Sequence, residues 1–109
     1  MLLSSAELAA LPPLYSTEHT PSGEVMLHVK LFDPCSAWTW YIAEAGQDPH
    51  TGQWILWGYV IGHEREWGWF DLAELGSVRN RLGLPLERDR YFTPCSFRDL
   101  GTGRKLAAA

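Results

Sequence analysis

Three closely spaced tryptophan pairs constrain the fold of this chain more than any other feature of its sequence. The chain has six tryptophans in 109 residues, arranged as Trp38–Trp40, Trp54–Trp57 and Trp67–Trp69. A pair at spacing i, i+2 places both rings on one face of a β-strand, whereas the i, i+3 pair is split between two faces. Aromatic and β-branched residues surround the pairs, and these are the types that strands prefer. The pattern therefore predicts a small sheet that carries many large rings.

Four segments of the chain have the pattern of β-strands. The first, residues 24–32, alternates strictly and has four apolar residues on one face, Val25, Leu27, Val29 and Leu31. The others are predicted at residues 37–44, 53–61 and 66–70, and the third of the four is apolar on both faces, as a central strand would be. The turns between them are too short for parallel crossovers, which need about a dozen residues. The segments therefore predict an antiparallel meander.

Two helices are predicted from their end signals. A short N-terminal helix over residues 5–11 has a serine at its start and is ended by two prolines. Asp71, with Glu74 three residues later, has the capping-box arrangement, which predicts a second helix over residues 72–82 that ends at Gly83. One face of this helix should lie on the sheet, and its residues are Leu72, Leu75, Val78, Arg79 and Leu82.

Together the elements predict an α+β fold: a single domain with an antiparallel meander sheet of four or more strands, one helix packed on a face and a short N-terminal helix. Residues 91–94 are a further candidate for an edge strand. With 46% hydrophobic residues, one domain over residues 1–104 can bury a core without a metal ion or a disulfide. Residues 105–109, Lys-Leu-Ala-Ala-Ala, have the look of a vector-derived tail and are left out of the functional argument.

We expect a cytoplasmic protein, because the chain lacks recognisable targeting segments. Its N-terminus has neither the charged nor the apolar region of a signal peptide, and no run approaches the roughly 18 apolar residues that span a bilayer. A disulfide between Cys35 and Cys95 is geometrically possible, but in the cytoplasm both thiols should stay reduced.

No residue pattern points to catalysis, a metal ion or a cofactor. The four histidines have none of the spacings of paired metal ligands, and His28 should face solvent beside Lys30. Neither cysteine has a neighbouring base that would activate a thiol nucleophile. Three glutamates that could transfer protons are expected to be solvated near strand ends, namely Glu44, Glu64 and Glu66. We therefore predict no catalytic, metal-binding or cofactor-binding residue, and a small hydrolase or modifying enzyme is the third hypothesis for function.

The surplus of aromatic residues indicates a binding surface. The second helix can cover only one face of the sheet, and the face with the first tryptophan pair is the more continuously apolar. The opposite face should show rings to solvent or to a partner, with Tyr41, Trp57 and Tyr59 as the candidate partner-binding residues. Single-stranded nucleic acid also stacks on such rings, but that mode needs basic flanks. The formal charge of −4, with Lys30 as the sole cation of the first three predicted strands, disfavours it.

Several motifs occur in an order that resembles a known bacterial family. They are Leu11-Pro-Pro-Leu-Tyr15-Ser-Thr17-Glu18, Trp38-Thr-Trp40-Tyr41, Gly58-Tyr-Val60-Ile-Gly62, Trp67-Gly-Trp69-Phe70, Leu82-Gly-Leu-Pro85-Leu-Glu87-Arg88-Asp89 and Phe92-Thr-Pro94. From about residue 11 to residue 100, the chain is similar to the family catalogued as domain of unknown function 2958. Genes of that family tend to lie on conjugative plasmids and integrative elements, near DNA-modification and replication genes. The resemblance thus implies an accessory role in mobile elements, but it lends no activity and no catalytic residue. The two cysteines, and Trp69 in place of a tyrosine, depart from the family pattern.

The leading hypothesis is a non-enzymatic protein-binding accessory factor of mobile genetic elements, whose partner is a host or plasmid protein. An anti-defence inhibitor, of anti-CRISPR or anti-restriction type, is a specific version of it. The alternative is a nucleic-acid-associated factor in conjugation or plasmid replication. The sequence leaves monomer and homodimer open and identifies neither the partner nor a catalytic activity.

Overall fold

An antiparallel sheet of five strands is the centre of the structure, a computed structural model that describes residues 2–101. The strands are β1 (Met26–Leu27), β2 (Val29–Phe32), β3 (Thr39–Gln47), β4 (Trp54–Ile61), β5 (Arg65–Asp71), β6 (Glu87–Arg88) and β7 (Cys95–Ser96). The helices are α1 (Ser5–Ala10), α2 (Leu72–Ser77) and α3 (Phe97–Gly101), with a 3₁₀ turn at Ser22–Glu24. The large sheet has the order β5-β4-β3-β2-β6, while β1 pairs with β7. The α+β class and the antiparallel meander, here β2 to β5, are confirmed.

Strand alternation divides the large rings between the two faces of the sheet as predicted. A first core cluster joins one face to α1 and α2, and its buried residues are Leu3, Leu8, Leu11, Val29, Leu31, Trp40, Ile42, Ala45, Leu56, Val60, Leu75 and Leu86. Trp38 and Trp54 pack against this first cluster. Trp57 lies on the opposite face, so the i, i+3 pair is indeed split.

A second core cluster covers much of the opposite face, which the sequence pattern predicts to be open. Its members are Val25, Leu27, Tyr41 and Ala43, with Trp57, Tyr59, Ile61, Trp67, Phe92, Phe97 and Leu100 packed against them. Three of these apolar side chains come from the C-terminal segment around α3. This helix is absent from the predicted elements because a helix of five residues is too short to show a periodicity.

The first predicted strand is split at His28 into β1 and β2. His28 donates its backbone N–H to the carbonyl oxygen of Ile42 at 2.8 Å, and Val29 is paired with the same Ile42. Two residues thus oppose one on β3, which is the arrangement of a β-bulge. Leu27 packs in the second cluster and Val29 in the first, so the prediction of one continuous apolar face is wrong. His28 is half-buried rather than solvent-facing, and burial lowers the pKa of its imidazole.

Side chains cap both predicted helix starts. The hydroxyl of Ser4 accepts the backbone N–H of Glu7, whose carboxylate accepts the N–H of Ser4 in return, so the cap lies one residue before the predicted Ser5. At α2, the Asp71 carboxylate accepts the N–H of Ala73 at 2.8 Å. The predicted start of the second helix is therefore confirmed.

α2 ends at Ser77, whereas the sequence pattern predicts a helix as far as Leu82. The Asn80 side chain accepts backbone N–H groups of the following turn and donates to a carboxylate oxygen of Asp33 at 3.0 Å. Such local hydrogen bonds compete with those of a helix. Val78 and Leu82 are exposed, so the predicted packing of this part of the chain on the sheet is wrong.

The cysteines lie in separate places in the described part of the chain, and no disulfide joins them. Cys35 is half-buried in the turn before β3, and Cys95 is buried in β7, in keeping with the expectation of reduced thiols. Every helix of residues 2–101 is too short or too polar to span a lipid bilayer. The suggested vector tail at residues 105–109 lies outside the described residues.

Gly58→Ala should destabilise the sheet strongly, whereas Gly68→Ala should not. The two glycines are paired across β4 and β5. A Cβ atom at Gly58 would lie 1.9 Å from the carbonyl oxygen of Tyr41, while at Gly68 the nearest atom is a Phe70 ring carbon at 3.9 Å. Since backbone must move, we expect Gly58→Ala to lower the free energy of unfolding by about 2 kcal/mol or more.

Urea denaturation followed by tryptophan fluorescence measures both variants. Gly68→Ala is the matched control. Its free energy of unfolding should lie within about 0.5 kcal/mol of the parent value or above it, because alanine loses less chain entropy on folding than glycine does. Equal losses for the two variants would contradict the close approach of β3 to β4 at this point.

Candidate aromatic binding cleft

A cleft of about 430 Å³ opens between the β4–β5 hairpin and the loop that follows α1. We call it the aromatic cleft, because large rings form most of its apolar wall. Its lining residues are Tyr15, Thr17, Glu18, Thr20, Ser22, Val25, Glu44, Trp57, Trp67 and Trp69. The cleft thus joins parts of the chain that are far apart in sequence.

The hairpin between β4 and β5 builds the tryptophan wall. Its short turn pairs Trp57 with Trp69 and Tyr59 with Trp67. Side chains opposite each other in an antiparallel pair lie on the same face, so all four rings are neighbours. The rings of Trp57 and Trp67 are stacked, with centroids 4.8 Å apart and planes inclined by 14°. This stacked pair is closed to any inserted ring and forms a continuous aromatic surface.

Trp69 and Tyr15 form the open side of the cleft. Trp69 is 50% exposed and Tyr15 is 63% exposed. Their ring centroids are 5.3 Å apart with planes inclined by 52°, and Trp69 is inclined by 54° to Trp57 at 6.2 Å. The ring of Trp69 is therefore tilted against both neighbours and stacked on neither, and all three rings line the same cleft.

Glu44 lies at the base of the aromatic cleft, with only 2% of its surface exposed. Its carboxylate accepts the backbone N–H of Tyr15 at 2.7 Å, the N–H of Thr17 at 2.9 Å and the hydroxyl of Thr17. A carboxylate buried without such partners would be very unfavourable. Glu44 belongs to the interior of β3, so its predicted solvation near a strand end is wrong, while Glu64 and Glu66 are exposed as expected.

The loop that carries Tyr15 is held in a strained conformation. Tyr15 has a φ of 69°, and this left-handed region costs a residue with a side chain on the order of 1–3 kcal/mol. The hydrogen bond to the buried carboxylate offsets that strain. Ala45 also donates its N–H to the carbonyl oxygen of Pro12 at 2.9 Å, and Leu14 packs directly on Gly46. Strain of this kind is concentrated at functional sites in proteins.

The charged groups that line the cleft are both negative. Glu44 lies at the base and Glu18 at the exposed rim, and the lining contains no lysine, arginine or histidine. The ion pairs formed within residues 2–101, through Lys30 and through Arg88, lie elsewhere. N–H and O–H dipoles alone therefore compensate the buried carboxylate, which favours a cation over an anion in the cleft.

The three residues predicted to contact a partner lie in different environments. Tyr41 is 5% exposed, its ring contacts that of Phe92, and burial raises the pKa of its phenol. Its predicted exposure is wrong, because the C-terminal segment covers it. Trp57 is half-buried and lines the aromatic cleft. Tyr59 is also half-buried, but it packs edge-on against Phe97 outside the cleft lining. A role of these residues in partner binding stays a prediction.

Of the cleft lining, only Trp57 is among the predicted contact residues; those missing from the prediction include Tyr15, Glu44, Trp67 and Trp69. A signal for the two tryptophans is present in the sequence, since the short turn before β5 sets their pairing with β4. No local signal exists for Glu44, whose hydrogen bond to Tyr15 spans 29 positions.

The residue types in its lining decide which chemical groups the cleft can offer to a ligand. Within residues 2–101, no three His, Cys, Asp or Glu side chains lie close enough together to hold a metal ion. The lining of the aromatic cleft includes neither a cysteine nor a histidine. The aromatic cleft therefore provides ring faces, two carboxylates and hydroxyl groups.

A second groove, of about 440 Å³, borders the first core cluster on the other side of the sheet. We call it the arginine groove, because Arg79, Arg88 and Arg90 line it together with Glu87. Arg88 forms an ion pair with Glu7. Burial and the nearby positive charge of Arg90 lower the pKa of the Arg88 guanidinium.

The sequence matches the family described as "Protein of unknown function (DUF2958)" over residues 2–100, and the chain therefore belongs to this family. No curated protein and no solved structure matches the chain. Two of the motifs that carry the resemblance, residues 11–18 and 67–70, form opposite walls of the aromatic cleft.

Glu44→Ala should release the loop that forms one wall of the cleft. The amides of Tyr15 and Thr17 would lose their acceptor, so their hydrogen exchange should accelerate and the free energy of unfolding should fall by about 2–3 kcal/mol. Glu18→Ala removes a carboxylate from the rim of the same cleft and should change neither quantity. Hydrogen exchange followed by NMR measures the effect. Unchanged protection of both amides in Glu44→Ala would contradict the conclusion that the Glu44 carboxylate holds the loop in place.

Proposed function

We propose that this protein is a non-enzymatic protein-binding module and that the aromatic cleft is its contact surface. The observation that carries this proposal is the exposure of Trp69 and Tyr15 at the mouth of a concave, ring-lined cleft. Tryptophan and tyrosine are enriched at protein interfaces, where a few such rings carry most of the binding energy.

The position of Trp69 supports a role in binding rather than in the core. Its ring touches Trp57 and Tyr15 but leaves half of its surface in solvent. Trp69 is a member of neither core cluster. A partner that covers the ring would recover the hydrophobic free energy, about 25 cal/mol for each Å² of apolar surface removed from water.

The proposed biological role is that of an accessory factor of mobile genetic elements, with a host or plasmid protein as the partner. The support for this part of the proposal is the family resemblance and the genetic neighbourhood that it implies. An anti-defence inhibitor, of anti-CRISPR or anti-restriction type, is its specific version.

Trp69→Ala should weaken capture of the partner while the protein stays folded. The tagged protein is incubated with extract of the host cell, and captured proteins are quantified by mass spectrometry against the variant. A hot-spot ring contributes about 2 kcal/mol or more, so capture of the specific partner should fall at least tenfold. Tyr91→Ala is the matched control, since Tyr91 is 96% exposed and lies outside the cleft lining.

Trp57→Ala is the less selective variant, because Trp57 is stacked on Trp67 and contributes to the second core cluster. We expect it to lower both capture and the melting temperature. If Trp69→Ala and Tyr91→Ala capture every protein as well as the parent does, the aromatic cleft is not the contact surface.

A nucleic-acid-associated role in conjugation or plasmid replication is the second candidate, and the arginine groove is the observation that favours it. Three guanidinium groups beside one groove are suited to phosphate oxygens. Arg79 and Arg88 nevertheless donate hydrogen bonds to the protein itself, to the carbonyl oxygens of Gly76 and Val78 and to Glu7. This internal use reduces what they can offer to a phosphate chain.

Fluorescence anisotropy with a labelled single-stranded oligonucleotide separates the two candidates. A nucleic-acid function predicts binding that weakens with salt, with a slope of about −0.7 in log K against log salt for each phosphate contacted. It also predicts that Arg90→Ala binds the oligonucleotide more weakly than Arg65→Ala does. Arg65→Ala is the matched control, because it removes the same charge at a site outside the arginine groove. Absence of binding at low salt, or equal effects of both variants, would dismiss this candidate.

A further inference from the structure

We infer that the aromatic cleft takes a cationic side chain, an arginine or lysine of the partner protein. This inference rests on the proposed function, because it names the chemistry of the group that the partner would insert. It comes from three observations about the described residues: the arrangement of the ring faces, the buried carboxylate and the absence of positive charge from the cleft lining.

The ring faces provide the first part of a cation site. The face of an aromatic ring carries partial negative charge, and a cation within about 6 Å of the centroid is attracted to it. Tyr15, Trp69 and Trp57 all line the cleft, and the plane of Trp69 is inclined by 52° to Tyr15 and by 54° to Trp57, so the three rings border one shared space without stacking on Trp69. Tryptophan is the strongest ring for this interaction.

The buried carboxylate provides the second part. Glu44 accepts hydrogen bonds from the loop, but no lysine, arginine or histidine of residues 2–101 forms an ion pair with it. A charge at the base of a cleft with low-dielectric walls acts more strongly on a ligand than one in bulk water. Glu18 adds a second carboxylate at the rim.

The size and polarity of the cleft select one long amphipathic side chain. The volume of about 430 Å³ suffices for the stem and head of an arginine or lysine. Such side chains lay their methylene groups along apolar surface and keep the charged head beside polar groups. A leucine side chain would pack against the rings but would not compensate the negative charge of the carboxylates. A carboxylate or phosphate would be repelled by both glutamates.

The test is a titration of the whole protein with four capped tripeptides that differ at the central residue: arginine, lysine, leucine or glutamate between two glycines. NMR signals of the tryptophan indole N–H groups report binding at the cleft. We expect the arginine and lysine peptides to shift the signals of Trp57 and Trp69 and to bind at least about threefold to tenfold more tightly than the leucine peptide. The glutamate peptide should not bind.

Three variants make the assignment specific. Glu18→Gln leaves the hydrogen bonds between Glu44 and the loop intact. It should weaken the binding of the cationic peptides and leave the affinity for the leucine peptide unchanged. Glu66→Gln removes the same charge from an exposed position of β5 outside the cleft lining, and it should have no effect. Trp69→Ala should abolish the shifts caused by the cationic peptides.

Several results would overturn the inference. If the leucine peptide binds as tightly as the arginine peptide, or Glu18→Gln has no effect on the cationic peptides, the cleft is an apolar dock and the proposed function stands without a cationic ligand. If none of the peptides shifts the indole signals, or the glutamate peptide binds best, the cation site does not exist. The capture experiment with Trp69→Ala then decides the proposed function separately.

Discussion

The pairing of β3 with β4 contains one irregularity on which the rest of the site depends. The register shifts between Ile42 and Glu44, so that Glu44 is opposite Trp57. Without the extra residue, strict alternation from Tyr41 would turn Glu44 towards the first core cluster, where a carboxylate would meet an apolar interior. With the bulge, the carboxylate points to the second face and binds the loop at Tyr15. The bulge of His28 is at the same place, because its N–H bonds to Ile42. Each irregularity shifts the alternation of the strand by one residue, so it decides which of the two core clusters the side chains on either side of it join.

Alternation suffices to predict how Trp38, Trp40, Trp54 and Trp57 divide between the two faces, because the strands from Thr39 to Ile61 are regular over most of their length. Alternation fails at the bulge of His28, because a period of two cannot detect an inserted residue, and the predicted face of Leu27 is wrong for that reason. The predicted solvation of Glu44 is wrong because β3 continues to Gln47, past the predicted strand end at residue 44. The end of α2 was wrong for another reason. Val78 and Leu82 have helical spacing, but the side-chain hydrogen bonds of Asn80 close a turn there instead. Tyr15 could not be placed, because a contact over 29 positions leaves no local pattern.

The β4–β5 hairpin combines rigidity and exposure in one element. Trp54 and Trp57 connect it to the two core clusters, and Gly62 allows the Trp38 ring to lie directly on its turn. Trp69 extends from this anchored frame into solvent. A site built on strands is held more precisely than one built on loops, and less entropy is lost when a partner binds. The opposite wall is different, because Tyr15 is in a strained loop whose hydrogen bond to Glu44 keeps it in place. The cleft thus has one fixed wall and one wall that depends on a single buried carboxylate.

The two grooves differ in what their residues already do for the folded protein. In the arginine groove, Arg88 binds Glu7 and so ties β6 to α1, while Arg79 donates to the carbonyl groups of Gly76 and Val78 at the C-terminal end of α2. These guanidinium groups have a structural use, and their presence needs no ligand to explain it. The exposed half of Trp69 has no such use, since it faces water. The same holds for the exposed ring of Tyr15, whose left-handed backbone conformation would favour glycine if stability alone decided. Residues that stability does not require are the ones from which a function is best inferred, and here they line the aromatic cleft.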